Sequence, residues 1–250
     1  MGKTGHGKVT PCAICPLRTL PAFRAFTAEE LTFIATFKTG EVVVRQGETI
    51  LAEGESNPRL FTVLAGWAFR YKALADGRRQ ILNFAMPGDF LGLQAAVFKE
   101  MDHSVEALSD VKLCVFDRTR TWSLFRDHAG LAFDLTWIAS REERLLDEQL
   151  LSVGRRSALE RVAYLLVHIH NRAANLAMTG KGSTLKMPIT QQHVADALGL
   201  SLVHTNKTLR RLTNLGLIEW QEGQCRIVDE DRLREIAGFD TREIRGRPLI

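Results

Sequence analysis

The sequence predicts an α+β chain: an N-terminal β-roll or jelly roll, one long helix, and a C-terminal winged helix-turn-helix. Three observations carry this. Between residues 40 and 120, short segments rich in β-branched and aromatic residues are separated by Gly, Pro, Asn or Asp. From about Ala129 to Val153 there is no Gly or Pro after Gly130, and residues recur at alternating four- and three-residue steps. Finally, ITQQHVADALGLSLVHTNKTLRRLTNL, residues 189–215, sets two amphipathic stretches on either side of a glycine.

The organisation expected is an arm with a C-x-x-C pair over 1–24, a β-roll sensor domain over 25–125 and a dimerisation helix over 126–154. A winged helix-turn-helix DNA-binding domain follows over 155–240, then a tail over 241–250. In the arm, Cys12-Ala13-Ile14-Cys15 precedes Pro16 and Pro21. Thr27 to Glu30 spells a capping box that opens a helix through Leu31, Phe33, Ile34 and Phe37. The strands follow from Gly40, with Asp76-Gly77 as a hairpin signal, and alternate side chains are buried between two sheets.

Past Trp122 the helical period returns. Thr136, Ala139, Glu143, Leu146, Leu150 and Val153 form a stripe suited to a parallel two-helix seam, while Leu131, Leu135, Ile138 and Leu145 form a second stripe that packs on the β domain. Gly154, Arg155 and Arg156 read as a hinge before a helix from Ala158 to His170. Thr179–Ser183, TGKGS, reads as a flexible loop. Leu217–Trp220 and Cys225–Val228 read as a wing, and the last residues, TREIRGRPLI, as frayed.

Thr190 caps the first helix of the pair, which buries Val194, Ala195 and Leu198; Gly199 supplies the left-handed turn. The second helix starts at Ser201 and buries Thr205, Leu209 and Leu212. Leu202, Val203, Asn206, Lys207 and Arg210 fall on its outer face, where a helix reads base edges in a major groove.

Charge agrees with this. The formal net charge of +4 is unevenly spread, for between Gly154 and Leu212 nine basic residues face only Glu160 and Asp196. A polyanion is drawn to that end of the chain. No apolar run approaches the length of a membrane span, and MGKTGHGKVTPC has no signal-peptide core, so a cytoplasmic protein without a membrane partner is expected. No Ser/His/Asp or paired-carboxylate arrangement points to an enzyme. His168, His170 and His193 read as packing or surface residues.

The order of parts resembles the CRP/FNR family of bacterial transcription regulators along nearly the full chain. The resemblance rests on Gly88-Asp89-Phe90-Leu91-Gly92, on Ala158-Leu159-Glu160-Arg161-Val162-Ala163, and on Thr190 to Leu212. It implies a cyclic-nucleotide-binding-like β-roll and a homodimer that reads a palindromic duplex. RNA polymerase is a further partner it implies. The family's base-contacting positions correspond to Val203, Asn206 and Lys207. Val203 and Leu202 suit thymine methyl groups, Asn206 an adenine and Lys207 a guanine. Thr190, Gln192, Ser201, His204 and Arg210 complete the expected DNA-contacting set, with Gln192, Ser201, His204 and Arg210 assigned to phosphates.

Departures from the family shape the expected signal. The cyclic-AMP-binding branch uses a Glu and an Arg-Ser pair where this chain has Gln94 and Met101-Asp102-His103-Ser104, so cyclic AMP is not expected. The oxygen-sensing branch holds a [4Fe-4S] cluster on three N-terminal cysteines and one strand cysteine. Cys12, Cys15 and Cys114 match three of these, and Pro21 stands where the fourth belongs. Four readings stay open: an iron-sulfur cluster with a non-cysteine ligand, a thiol redox pair or Cys12–Cys15 disulfide, a mononuclear metal, and structural thiols. Cys225 has no assigned role. Leu146 stands where the oxygen sensor has an acidic seam residue, so the seam of Ala139, Glu143, Leu146, Leu150 and Val153 is expected to pair without an effector. The competing function is a redox or metal-binding thiol protein whose winged helix serves protein contacts.

Overall fold

Sequence period dictates where each element begins. The computed structural model describes residues 9–221, 223–240 and 246–250. Helix α1 (Ala28–Phe37) opens on the capping box read from sequence: Glu30 N donates to Thr27 Oγ1 at 3.2 Å and Thr27 N to Glu30 Oε2 at 2.8 Å. Its Ile34 and Phe37 are buried.

Eight strands follow: β1 (Lys38–Val44), β2 (Thr49–Leu51), β3 (Arg59–Ala65), β4 (Ala68–Ala73), β5 (Arg79–Ala85), β6 (Phe90–Leu91), β7 (Ser104–Ala107) and β8 (Val111–Asp117). They form two sheets ordered β1-β8-β3-β6 and β2-β7-β4-β5. The core between them joins Phe61, Val63, Leu113 and Val115 of the first to Leu51, Ala68, Val105 and Ala107 of the second. Side chains alternate across a strand, so the register partners Glu41, Cys114 and Thr62 share the opposite face of the first sheet. Helix α1 lies on that face, where the rings of Phe37 and Phe116 stack 5.1 Å apart.

A short helix α2 (Leu93–Phe98), which no sequence signal announced, falls between β6 and β7. Left-handed residues bound it at both ends, Gly92 at φ 92° and Lys99 at φ 76°, leaving too few turns for a readable period. Helix α3 (Thr121–Asp127) leads into α4 (Ala129–Arg155). Of the stripe expected to face the β domain, Leu131, Leu135 and Ile138 are buried, while Leu145 is half-buried and falls in the other unit.

The hinge expected over Gly154, Arg155 and Arg156 narrows to its last residue, for α4 runs through Arg155 and the chain leaves the helix at Arg156 and Ser157. Gly154 lies inside α4, since one glycine near a helix end costs only about 1 kcal/mol relative to alanine. Ser157 then caps α5 (Ala158–Asn175) in a box with Glu160. Helix α5 thus outruns the expected His170 by more than a turn. The loop expected over Thr179–Ser183 holds a 3-10 turn at Lys181–Ser183 and leads into a strand not foreseen, β9 (Thr184–Lys186), that joins β10 (Ile218–Gln221) and β11 (Gln224–Ile227) in a three-stranded wing. Helices α6 (Gln191–Leu198) and α7 (Leu202–Asn214) form the predicted pair. A helix not foreseen, α8 (Glu230–Ala237), follows the wing and packs on α5.

Two compact units result. One holds the chain up to Lys72, Phe84–Arg144 and residues 246–250; the other holds Ala73–Asn83 and residues 145–240. The frayed end expected over 241–250 is corrected where it is described: Leu249 and Ile250 are only 3 and 4 % exposed, inside the first unit. Among the described residues, no helix is long and apolar enough to cross a membrane.

Phe37 anchors α1 to the sheet, so Phe37→Ala should cost about 3 to 5 kcal/mol, read as a lower urea midpoint at unchanged slope. A loss under about 1 kcal/mol would show that α1 does not depend on this contact.

Candidate nucleic-acid interface and sensor cavity

The helix pair is held by local chemistry. His193 N donates to Thr190 Oγ1 at 3.3 Å, and Thr190 N donates to His193 Nδ1 at 3.1 Å, so histidine fills the place that glutamate takes in an ordinary capping box. That role needs a neutral imidazole. Burial, aided by the Arg79 cation, holds the His193 pKa below its ordinary value. Gly199 at φ 62° turns the chain, and Ser201 Oγ accepts from His204 N at 3.2 Å to start α7. The terminal carbonyls of α6 are also answered: Ala197 O accepts from Gln80 Nε2 at 2.8 Å and from Gln149, and Leu198 O from Arg161 Nη1 at 3.1 Å.

On α7, Thr205, Thr208, Leu209 and Leu212 are buried. Leu202, Val203, His204, Lys207 and Arg210 are exposed, Val203 by 65 %, together with Thr190, Gln192 and Ser201. Asn206 is half-buried, with its Oδ1 enclosed and lacking a hydrogen-bond partner among the described residues. Gln192 Nε2 donates to Asp196 Oδ1 at 2.6 Å, and Asp196 in turn pairs with Arg79 at 2.7 Å.

Charge counting alone overstated the basic surface. Arg156 bonds Ser152 and Glu148 and lies over the Tyr164 ring, Arg161 caps Leu198, and Arg172 is buried. Arg155, Lys181, Lys186, Lys207, Arg210 and Arg211 remain exposed. In the wing, Cys225 is buried and its pKa is pushed up to about 12, which makes it inert packing. His170 Nε2 lies 2.8 Å from Ser183 O, and His168 stacks on Tyr164, as packing histidines do.

Along α4 the stripe read as a two-helix seam stays open to solvent: Ala139, Glu143, Leu146 and Leu150 are exposed, Leu150 by 70 %, and Val153 is half-buried.

In the first unit, the three cysteines singled out by the family resemblance line one cavity. Cys12 and Cys15 belong to the arm, which makes 3-10 turns over Cys12–Ile14 and Pro16–Thr19, while Cys114 comes from the middle of β8. All three are free thiols, and Arg18 and Lys38 line the same space. Burial wins over these cations: it raises the Cys12 pKa and pushes Cys114 up to about 11.

A four-iron cluster does not fit this arrangement. The cavity is about 20 Å³, room for one water, and the described residues include no group of three or more His, Cys, Asp or Glu placed to hold a metal ion. Toward the other sheet, Gln94 sits on α2 with Oε1 3.4 Å from Asp102 N. Met101 is buried, and burial beside Arg70 drops the His103 pKa to about 4.

Sequence reasoning missed the residues that pin the arm. Glu41 Oε1 accepts from Thr10 N at 2.8 Å and from Lys38 Nζ at 2.7 Å, and Oε2 accepts from Lys112 Nζ at 2.6 Å. A lone Glu in EVVVRQ gave no sign of this, because besides Lys38 of the same strand its partners come from the arm and from β8. Although burial opposes ionisation, the two lysines and the Thr10 amide bring the Glu41 pKa down to about 2.

Comparison with known proteins places these features. Residues 41–128 match the cyclic nucleotide-binding domain family, and residues 160–236 match the Crp-like helix-turn-helix domain family. The nitrogen fixation regulation protein FixK of Bradyrhizobium diazoefficiens is 31 % identical over 90 % of this chain and 93 % of its own. The transcriptional activatory protein AadR of Rhodopseudomonas palustris is 34 % identical over 78 % of this chain and 80 % of its own. Among solved structures, FixK2 from Bradyrhizobium japonicum superposes with a TM-score of 0.72 at 27 % identity, covering 78 % of this chain and 96 % of that one.

A depressed carboxylate pKa stabilises the fold above the unfolded value, near 4.5, and that contribution is lost as pH falls toward about 2. Glu41→Gln should therefore flatten the loss of unfolding free energy between those limits, measured by urea titration at each pH. An unchanged slope would show that Glu41 is not the acid-sensitive anchor.

Proposed function

Because the chain belongs to the CRP/FNR family of transcription regulators, we propose that it acts as a homodimer on a palindromic duplex and takes its signal at the thiol cavity of the β-roll. It is a sequence-specific DNA-binding regulator of the CRP/FNR type. The observation that carries the reading is the outer face of α7, where apolar Leu202 and Val203 sit beside cationic Lys207 and Arg210 on a helix fixed by Ser201 and Gly199. That face suits base edges and thymine methyl groups; Thr190, Gln192, Ser201, His204 and Arg210 suit phosphates. Half-buried Asn206 is the base contact that needs a rotamer change to act.

Pairing through Ala139, Glu143, Leu146, Leu150 and Val153 covers the open stripe of α4 and sets two copies of α7 about 34 Å apart, one turn of duplex. RNA polymerase is the further partner this reading implies. The signal is redox or a small molecule, and what supports a thiol readout is that Cys12, Cys15 and Cys114 line one cavity with room for one water.

Lys207→Ala should weaken binding to the cognate site by about 1 to 3 kcal/mol and random duplex far less. Equal loss on both would make Lys207 a phosphate contact. Sedimentation of the effector-free protein at micromolar concentration should show a dimer, and Leu150→Glu a monomer, because each buried leucine contributes roughly 1.5 to 3 kcal/mol to such a seam. A monomeric wild type would overturn the effector-independent pairing.

A further inference from the structure

Past α8 and residues 238–246, the chain re-enters the unit that holds the cysteines. Arg247 pairs as a parallel bridge with Phe23: Arg24 N donates to Arg247 O and Arg247 N to Ala22 O, each at 3.0 Å. Its guanidinium lies over the Phe23 ring, 4.8 Å from the centroid, and donates from Nη2 to Asp89 Oδ1 at 3.0 Å. Pro248 limits the conformations that docking must select. Leu249 O then accepts from Arg18 Nη2 at 3.4 Å, and Ile250 O accepts from Thr62 Oγ1. Both side chains are buried where they line the cavity of Cys12, Cys15 and Cys114.

This seat has every part of a peptide site: a main-chain bridge for register, a charged anchor, and an apolar pocket with two donors for carbonyls. We propose that residues 247–250 are an intramolecular latch on the sensor unit, and that the chemical state of the cavity thiols governs whether the latch stays seated. The segment that fills the cavity continues from the DNA-binding unit, so seating adds a further point at which the chain tethers that unit to the sensor. Modification of Cys114 and a seated latch exclude each other, because the cavity of about 20 Å³ holds one water and no larger substituent. The effect on DNA rests on the function proposed above; the exclusion itself does not.

The test compares the full chain with Arg247→Ala and with a chain lacking residues 247–250, following iodoacetamide labelling of each cysteine by mass spectrometry. Cys114 should label about tenfold faster in the shortened chain and intermediately in Arg247→Ala, as expected for a site freed from its cover. Cys225, buried in the other unit, should be unchanged. A synthetic Arg-Pro-Leu-Ile peptide should slow Cys114 labelling again in the shortened chain. Equal Cys114 rates in all three proteins, or no protection by the peptide, would overturn the latch. If Cys225 accelerates too, the shortened chain has unfolded and the Arg247→Ala rate decides alone.

A final arm measures affinity for a cognate duplex. Arg247→Ala should change it by about threefold or more. Unchanged affinity with faster labelling would reduce the latch to a cover without coupling, which overturns the proposal. Failure of every form, wild type included, to bind any duplex would instead sink the DNA reading and leave the labelling result standing.

Discussion

A carboxylate only 4 % exposed must have its charge answered within the protein, and the way Asp89 is answered fixes much of the first unit. Its Oδ2 accepts from Met86 N at 2.8 Å, which closes the turn after β5. Its Oδ1 faces Arg247 at 3.0 Å and Arg141 of α4 at 3.5 Å. The charge run continues through Arg141 to Glu142 and on to Arg70, whose Nη2 donates to Phe90 O at 2.7 Å. One buried network thus ties the turn, the long helix and the docked segment together. Removing one partner from such a network typically costs about 3 to 5 kcal/mol, because the remaining charge stays buried. Gly88 belongs to the same constraint: at φ 85°, any Cβ there would lie 2.3 Å from the Phe23 ring.

The second unit answers a different demand. A helix that reads a groove has to present its outer face at a fixed pitch, so its inner face and ends cannot wander. Here the end of α6 is held by three separate side chains, Gln80, Gln149 and Arg161, and its start by His193. Side chains that look like nucleic-acid ligands by charge are spent on this rigidity. Arg156 and Arg161 hold helix ends, Arg172 is buried, and the exposed cations are left for the polyanion.

How much was legible follows from whether a signal is local. The Thr27 and Thr190 caps, the left-handed Gly199, the buried Val194, Ala195, Leu198, Leu209 and Leu212, and the buried Leu131, Leu135 and Ile138 of α4 were readable because each signal lies within a few residues. The gathering of Cys12 and Cys15 with Cys114 came from family resemblance, since nothing in spacing brings an arm to a strand a hundred residues away. Glu41 with Lys112 and Thr10, the seat of Leu249 and Ile250, and the bond from Arg161 to Leu198 were invisible, for these pairings are long-range. The narrowed hinge at Arg156 and Ser157 is instructive. Glycine was given more weight than the Ser-x-x-Glu pattern at Ser157 to Glu160, yet a capping box marks a helix start more sharply than a glycine marks an end.

Which cover of the cavity yields to a modified thiol can be argued from what holds each. Helix α1 is anchored by Phe37 on Phe116, an apolar contact with no solvent-exposed substitute. The arm is held by Glu41 through two lysines and the Thr10 amide, charge-assisted bonds about twice as strong as neutral ones. Leu249 and Ile250 have only two carbonyl contacts besides their apolar burial, and their one charged anchor lies outside the cavity at Arg247. Cys114, with its pKa near 11, is a protonated thiol at neutral pH and packs as a small apolar group while the cover is closed. Any bulk added there pushes first against the weakest wall, and that wall is the one segment continuous with the DNA-binding unit.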